Sequence, residues 1–173
     1  MKRGRRPDPE TCAAPGPDLV AHIDGGSRGN PGPAGYGVHV ATAAGDGVAE
    51  IYGFLGVTTN NVAEYAALLA LLERAQALRP RTLVIRSDSE LLVRQMNGQY
   101  RVKDPNLKRL HEAARRLLAD VPAARLEHVR REANRAADAL ANRAMDEEAG
   151  SAPLPQAILA LPGLARQSSL PNL

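Results

Sequence analysis

Two short apolar runs that stop at acidic residues constrain this chain more than any other feature. Leu19-Val20-Ala21-His22-Ile23 ends at Asp24 and then Gly25-Gly26, and Leu83-Val84-Ile85 ends at Ser87-Asp88. Residues apolar at consecutive rather than alternate positions read as strands buried on both faces, the kind found in parallel sheets covered by helices. Residues 35–43 and 47–57 alternate small and apolar side chains across Gly45-Asp46-Gly47, which predicts a hairpin. The period then changes: Val62, Tyr65, Ala66, Leu68, Leu69, Leu72 and Ala75 recur at helical spacing, with Asn60 or Asn61 as the cap and Pro80 closing the segment. Helices over 90–96, 105–118 and 133–145 and a strand over 125–129 complete the order βββαβααβα, an α/β fold with crossover connections.

The chain has 173 residues, 22 basic and 19 acidic, for a formal charge of +3. That is the balance of one soluble domain with a core of ordinary size. The longest apolar run, 66–72, is far short of the ~20 residues of a membrane span, and the basic N-terminus is followed by no apolar stretch of a secretory signal. A cytoplasmic location and no membrane partner are the expectation. One cysteine, Cys12, allows neither an internal disulfide nor a cysteine zinc cage.

Residues 1–17 and 148–173 are rich in proline and read as tails, the first basic and disordered, the second flexible. The second also holds Ala157-Ile158-Leu159-Ala160-Leu161, which could dock as one helical turn. The folded unit is expected over 18–147. Within it, residues 94–116 carry seven basic groups against two acidic ones, a pattern that suits either a phosphate backbone or a solvated helix face.

Acidic residues stand where an α/β sheet rarely puts them without a reason. Asp24 and Asp88 end the two buried strands, Glu64 is in the first turn of one helix and Asp138 in the first turns of another. Each alone has an ordinary role as turn former, cap, dipole partner or surface residue. If the two strands are parallel neighbours, however, their acidic ends converge at the edge where ligands of α/β sheets bind. Like charges that close need a cation, and oxygen donors without His or Cys select Mg²⁺ or Mn²⁺ over zinc. The loop 24–37 holds six glycines, so a ribose or polyanion can approach its main chain. It lacks the Gly-Lys-Ser/Thr ending of a P-loop.

These motifs together resemble type 1 ribonuclease H. The matching segments are Asp24-Gly25-Gly26-Ser27-Arg28-Gly29-Asn30-Pro31-Gly32-Pro33, Thr58-Thr59-Asn60-Asn61-Val62-Ala63-Glu64-Tyr65, Ser87-Asp88-Ser89 and Asn134-Arg135-Ala136-Ala137-Asp138-Ala139-Leu140-Ala141, in the family's order. The resemblance implies a five-stranded mixed sheet with an antiparallel second strand and helices on both faces. It implies hydrolysis of the RNA strand of RNA–DNA hybrids, leaving 5′-phosphate and 3′-hydroxyl ends, with two Mg²⁺ ions (or Mn²⁺) held by Asp24, Glu64, Asp88 and Asp138. It further implies substrate contacts by Gly25, Gly26, Ser27, Asn30, Asn60 and Asn61, and a phosphate contact by Thr59. Arg94 and Lys103 belong to a compact basic segment resembling the subgroup that lacks a tryptophan-rich handle; the chain has no Trp. No obligate protein partner is implied, and a monomer is expected.

Two departures stand out. The loop that carries a histidine in well-known bacterial members is shortened here, His128 falls on the strand with an expected structural role, and Arg130 or Arg131 could take over the missing function. The glutamine that follows Asp-Ser in those members is Glu90 here. Two other readings remain open at this point: a binding module on the same fold with little activity, and a nuclease of the same superfold that acts on duplex RNA or DNA.

Overall fold

The computed structural model describes residues 16–121 and 123–164. Five strands, β1 (Asp18–Ser27), β2 (Gly32–Thr42), β3 (Gly47–Thr58), β4 (Thr82–Ser87) and β5 (Ala124–His128), form one sheet in the order β3-β2-β1-β4-β5. β2 is antiparallel to both of its neighbours, and the pairs β1–β4 and β4–β5 are parallel. The helices are α1 (Asn60–Leu78), α2 (Glu90–Met96), α3 (Pro105–Ala119), α4 (Arg135–Glu147) and the short α5 (Gln156–Leu159), with a 3₁₀ turn at Arg131–Ala133. The expected order βββαβααβα is present, with α5 added at its end.

Glycines set how closely the helices approach the sheet. A Cβ on Gly37 would lie 2.3 Å from the Ala137 carbonyl oxygen, and one on Gly35 would lie 3.0 Å from the Ala144 Cβ. These alternate β2 positions therefore admit α4 on one face, and the small α4 side chains Ala137, Ala141 and Ala144 complete the contact. On the other face runs α1, buried without interruption from Val62 to Leu72. A helix apolar all round belongs inside a layer stack rather than on its surface. It packs against β1 and α3 and shares its core with Leu19, Ile23, Leu83, Ile85 and Leu110.

Two expectations need correction. The α1 cap is Thr59, whose Oγ1 accepts a hydrogen bond from the Val62 amide at 3.3 Å, and not Asn60 or Asn61, which are already helical. Residues 148–164 are also not a free tail. The Ser151 amide donates to the Tyr52 carbonyl at 2.9 Å, the Tyr52 amide donates to the Ser151 Oγ at 3.0 Å, and the Gln156 amide donates to the Glu73 Oε1 at 2.9 Å. Ile158 is fully buried and Leu161 nearly so. The prolines Pro153 and Pro155 stop regular structure, but the apolar residues after them supply core that α1 and α3 leave open. Residues 1–15 and 165–173 of the expected tails lie outside the described residues. No helix among the described residues is long and apolar enough to cross a membrane.

Candidate active site

The parallel pairing of β1 with β4 puts Ile23 level with Ser87, so the next residues, Asp24 and Asp88, leave the sheet side by side. Ser87 is fully buried, and its Oγ accepts from the Ser89 amide at 3.1 Å, which shapes the turn carrying Asp88; Ser89 then caps α2. Glu64 comes from the start of α1 and is buried. One carboxylate oxygen from each of Asp24, Glu64 and Asp88 lies within 4.8 Å of the others. Asp138, in the first turn of α4, lies close enough for its charge to act on Asp24 and completes the acidic wall of a cleft of about 730 Å³.

Electrostatics mark this cluster as incomplete by itself. Burial, followed by the neighbouring charges of Asp88 and Asp138, pushes the Asp24 carboxyl up to about 8. Burial, followed by the charges of Asp24 and Asp88, pushes Glu64 well above the ordinary carboxylate range, although the Gly25 amide acts in the opposite direction. The Glu64 Oε2 is buried and has no hydrogen-bond partner. A hard divalent cation fits such a set, because it neutralises the repelling carboxylates and takes oxygen donors. His128 also faces the cleft, but its Nε2 is engaged with the Asp88 carbonyl at 3.3 Å.

Of the residues singled out as substrate contacts, Gly25, Gly26, Ser27 and Asn60 line the cleft. The others take different positions. The Asn30 Oδ1 accepts from the Asn60 amide at 3.1 Å and so braces the start of α1. Thr59 is the helix cap, and Asn61 is exposed away from the cleft lining. Arg94 is paired with Glu90 at 2.7 Å and lies over the Tyr100 ring at 5.2 Å, while Lys103 is exposed between α2 and α3. Gly25 has a second reason to be glycine: a Cβ there would meet the Ala63 backbone at 2.2 Å, so it also admits helix α1.

Sequence reasoning assigned no role to Asn134. It is buried, its Nδ2 donates to the Ile23 carbonyl at 2.9 Å, and its own carbonyl accepts from the Asp138 amide at 3.1 Å. It thereby ties the helix carrying Asp138 to the strand carrying Asp24. An Asn four residues before an acidic helix residue is the signal that could have revealed it. Arg28 pairs with Asp146 at 2.5 Å and fastens the glycine loop to the far end of α4. Arg130 and Arg131 line the cleft wall beyond His128.

Comparison with known proteins agrees with this geometry. A profile of the reverse transcriptase-like family matches residues 22–144. The bifunctional protein Rv2228c of Mycobacterium tuberculosis is 47% identical over 135 residues, covering 78% of this chain and 37% of that protein. Ribonuclease HI of Halobacterium salinarum is 43% identical over 127 residues, covering 73% of this chain and 64% of its own length. The chain thus spans less than two thirds of these relatives. The crystal structure of LC11 RNase H1 in complex with an RNA/DNA hybrid superposes with a TM-score of 0.72 at 42% identity, over 76% of this chain and 99% of that one.

Proposed function

The chain belongs to the type 1 ribonuclease H family, and on that premise we propose that it is a metal-dependent endonuclease that hydrolyses the RNA strand of RNA–DNA hybrids, leaving 5′-phosphate and 3′-hydroxyl ends. The observation that carries the reading is the convergence of Asp24, Glu64 and Asp88 within 4.8 Å, with Asp138 against Asp24, in an open cleft.

Asp24, Glu64 and Asp88 would hold one Mg²⁺ or Mn²⁺ ion and Asp138, together with Asp24, a second; Asp24 interacts with both Asp88 and Asp138, which suits it to the shared position. Ions in such a pair lower the pKa of a bound water and stabilise the charge that develops on the leaving 3′ oxygen. The protein contributes alignment. Gly26, Ser27 and Asn60 form the wall against which the scissile strand lies, and Arg130 and Arg131 place positive charge opposite the acidic wall. Recognition rests on 2′-hydroxyls and backbone shape, so little sequence preference is expected. We place this activity in the cytoplasm, carried out by a monomer.

The test is cleavage of end-labelled RNA–DNA hybrid, RNA–RNA, DNA–DNA and DNA with one embedded ribonucleotide, in Mg²⁺, Mn²⁺ or EDTA, with Asp88→Asn alongside. Metal-dependent cutting of the hybrid, abolished in the variant, is the expected result. A protein that binds the hybrid but cuts no duplex would be a binding module instead, and cutting of RNA–RNA or DNA–DNA in preference to the hybrid would reassign the substrate.

A further inference from the structure

His22 of β1 and His39 of β2 stand directly opposite each other in the antiparallel ladder, and both are half-buried. Residues opposite in this way have Cβ atoms about 4.5–5.5 Å apart on the same face, from which two imidazoles can each bring a nitrogen to one ion at about 2.0–2.1 Å. The face is that of α4, since Gly37, two residues before His39, is the position against which the Ala137 carbonyl rests. The other two histidines are already engaged with backbone carbonyls, His111 with Gln95 at 3.2 Å and His128 with Asp88 at 3.3 Å. Among the described residues, neither the His22 nor the His39 ring has a hydrogen-bond partner.

The strands on either side extend this pair into a row. Glu50 of β3 is opposite His39, Arg86 of β4 is level with His22, and Glu127 of β5 is level with Arg86 and paired with it at 3.4 Å. Arg125 of β5 holds the same Glu127 at 2.9 Å, so with neutral imidazoles the two guanidiniums and two carboxylates leave the row without net charge, 2 − 2 = 0. Arg143, the nearby α4 cation, is neutralised by Glu147 at 3.0 Å.

We propose that His22 and His39 form a second metal site, for a borderline divalent cation of the Zn²⁺ or Ni²⁺ class, that clips β1 to β2 on the sheet face beside α4. The two imidazoles are its protein donors, and water fills the remaining positions. The donor set separates this site from the carboxylate cleft: imidazole prefers Zn²⁺, Ni²⁺ and Cu²⁺, whereas an all-oxygen cluster prefers Mg²⁺ and Mn²⁺. The proposal does not depend on nuclease activity.

The experiment is calorimetric titration of the untagged full chain with Zn²⁺ and with Ni²⁺ in excess Mg²⁺, which fills the oxygen site. One ion should bind, and His22→Gln and His39→Gln should each weaken it by about tenfold or more, the scale on which residues of metal sites act; His128→Gln should leave it intact. Circular dichroism melts establish that each variant folds, and the ring ¹⁵N resonances of His22 and His39 should be the ones that move. Absence of binding to the wild type, or binding unchanged in both His22→Gln and His39→Gln, overturns the proposal.

Discussion

Asn134 donates its side-chain amide to the main-chain oxygen of Ile23, the residue before Asp24, while its own carbonyl receives the Asp138 amide. A single residue, through its side chain on one side and its main chain on the other, thus spaces two of the four carboxylates. In Asn134→Ala the buried Ile23 carbonyl loses its donor, at a cost of about 1–3 kcal/mol. Turnover on a hybrid should fall by more than this stability loss accounts for, with KM little changed and more Mg²⁺ needed for half-activation. Steady-state kinetics across a Mg²⁺ series, beside thermal melts, checks this; unchanged turnover in a folded variant would reduce Asn134 to a structural tie.

Asp24 carries a raised pKa, about 8 against an ordinary 3.8, so metal-free folding takes up a proton. The stability this group contributes is present below the unfolded value and is lost as pH climbs through the folded one. Metal-free protein should therefore become less stable between pH 4 and 8, with Glu64 acting in the same direction. Asp24→Asn removes the penalty and should raise the Tm in EDTA at pH 8, by about 2–4 °C for each kcal/mol relieved. Mg²⁺ should raise the Tm of the wild type and much less that of the variant. Melting curves with and without metal decide this, and a variant less stable than wild type in EDTA contradicts it.

Gly25 and Gly26 are adjacent but not equivalent. A methyl on Gly25 would lie 2.2 Å from the Ala63 backbone, whereas one on Gly26 would find nothing nearer than 3.8 Å. Gly25→Ala should cost about 3 kcal/mol or more, at the upper end of overpacking. Gly26→Ala should hold its stability or gain up to about 1 kcal/mol through the unfolded chain, yet bind hybrid more weakly because its methyl lies on the cleft wall. Urea unfolding and a hybrid-binding assay separate the two.

Ile158 is fully buried in the core that α1 and α3 share. Ile158→Ala should cost about 2–5 kcal/mol and leave the metal requirement of cleavage unchanged, since Ile158 does not line the cleft. Denaturation midpoints and a Mg²⁺ titration of activity measure both halves of that statement.

The carboxylates were legible in the sequence because apolar runs that stop at an acid fix both the strand and its end. Asp24 and Asp88 needed only the parallel pairing of β1 and β4 to meet. Less legible was whatever depends on which neighbour a residue faces. Thr59, Asn60 and Asn61 are all good caps, and only the observed Thr59 to Val62 bond chooses among them. Gly25 read as part of a loop open to a ligand, and that its missing side chain also makes room for α1 depends on a neighbour the loop itself does not name. The stretch after Glu147 read as a tail because its prolines outweigh its short apolar run; the core it fills belongs to α1 and α3 and cannot be seen from the stretch itself.

The Ser151 contact with Tyr52 has a bearing on self-association. β3 is the outer strand of the sheet, and an open strand edge is a template for pairing with another chain. By taking both the amide and the carbonyl of Tyr52, near the middle of β3, Ser151 breaks that long edge into two shorter stretches, residues 47–51 and 53–58. The segment after α4 therefore guards against edge-to-edge aggregation as well as filling the core, and a chain cut before Ser151 would expose a continuous β3 to its copies.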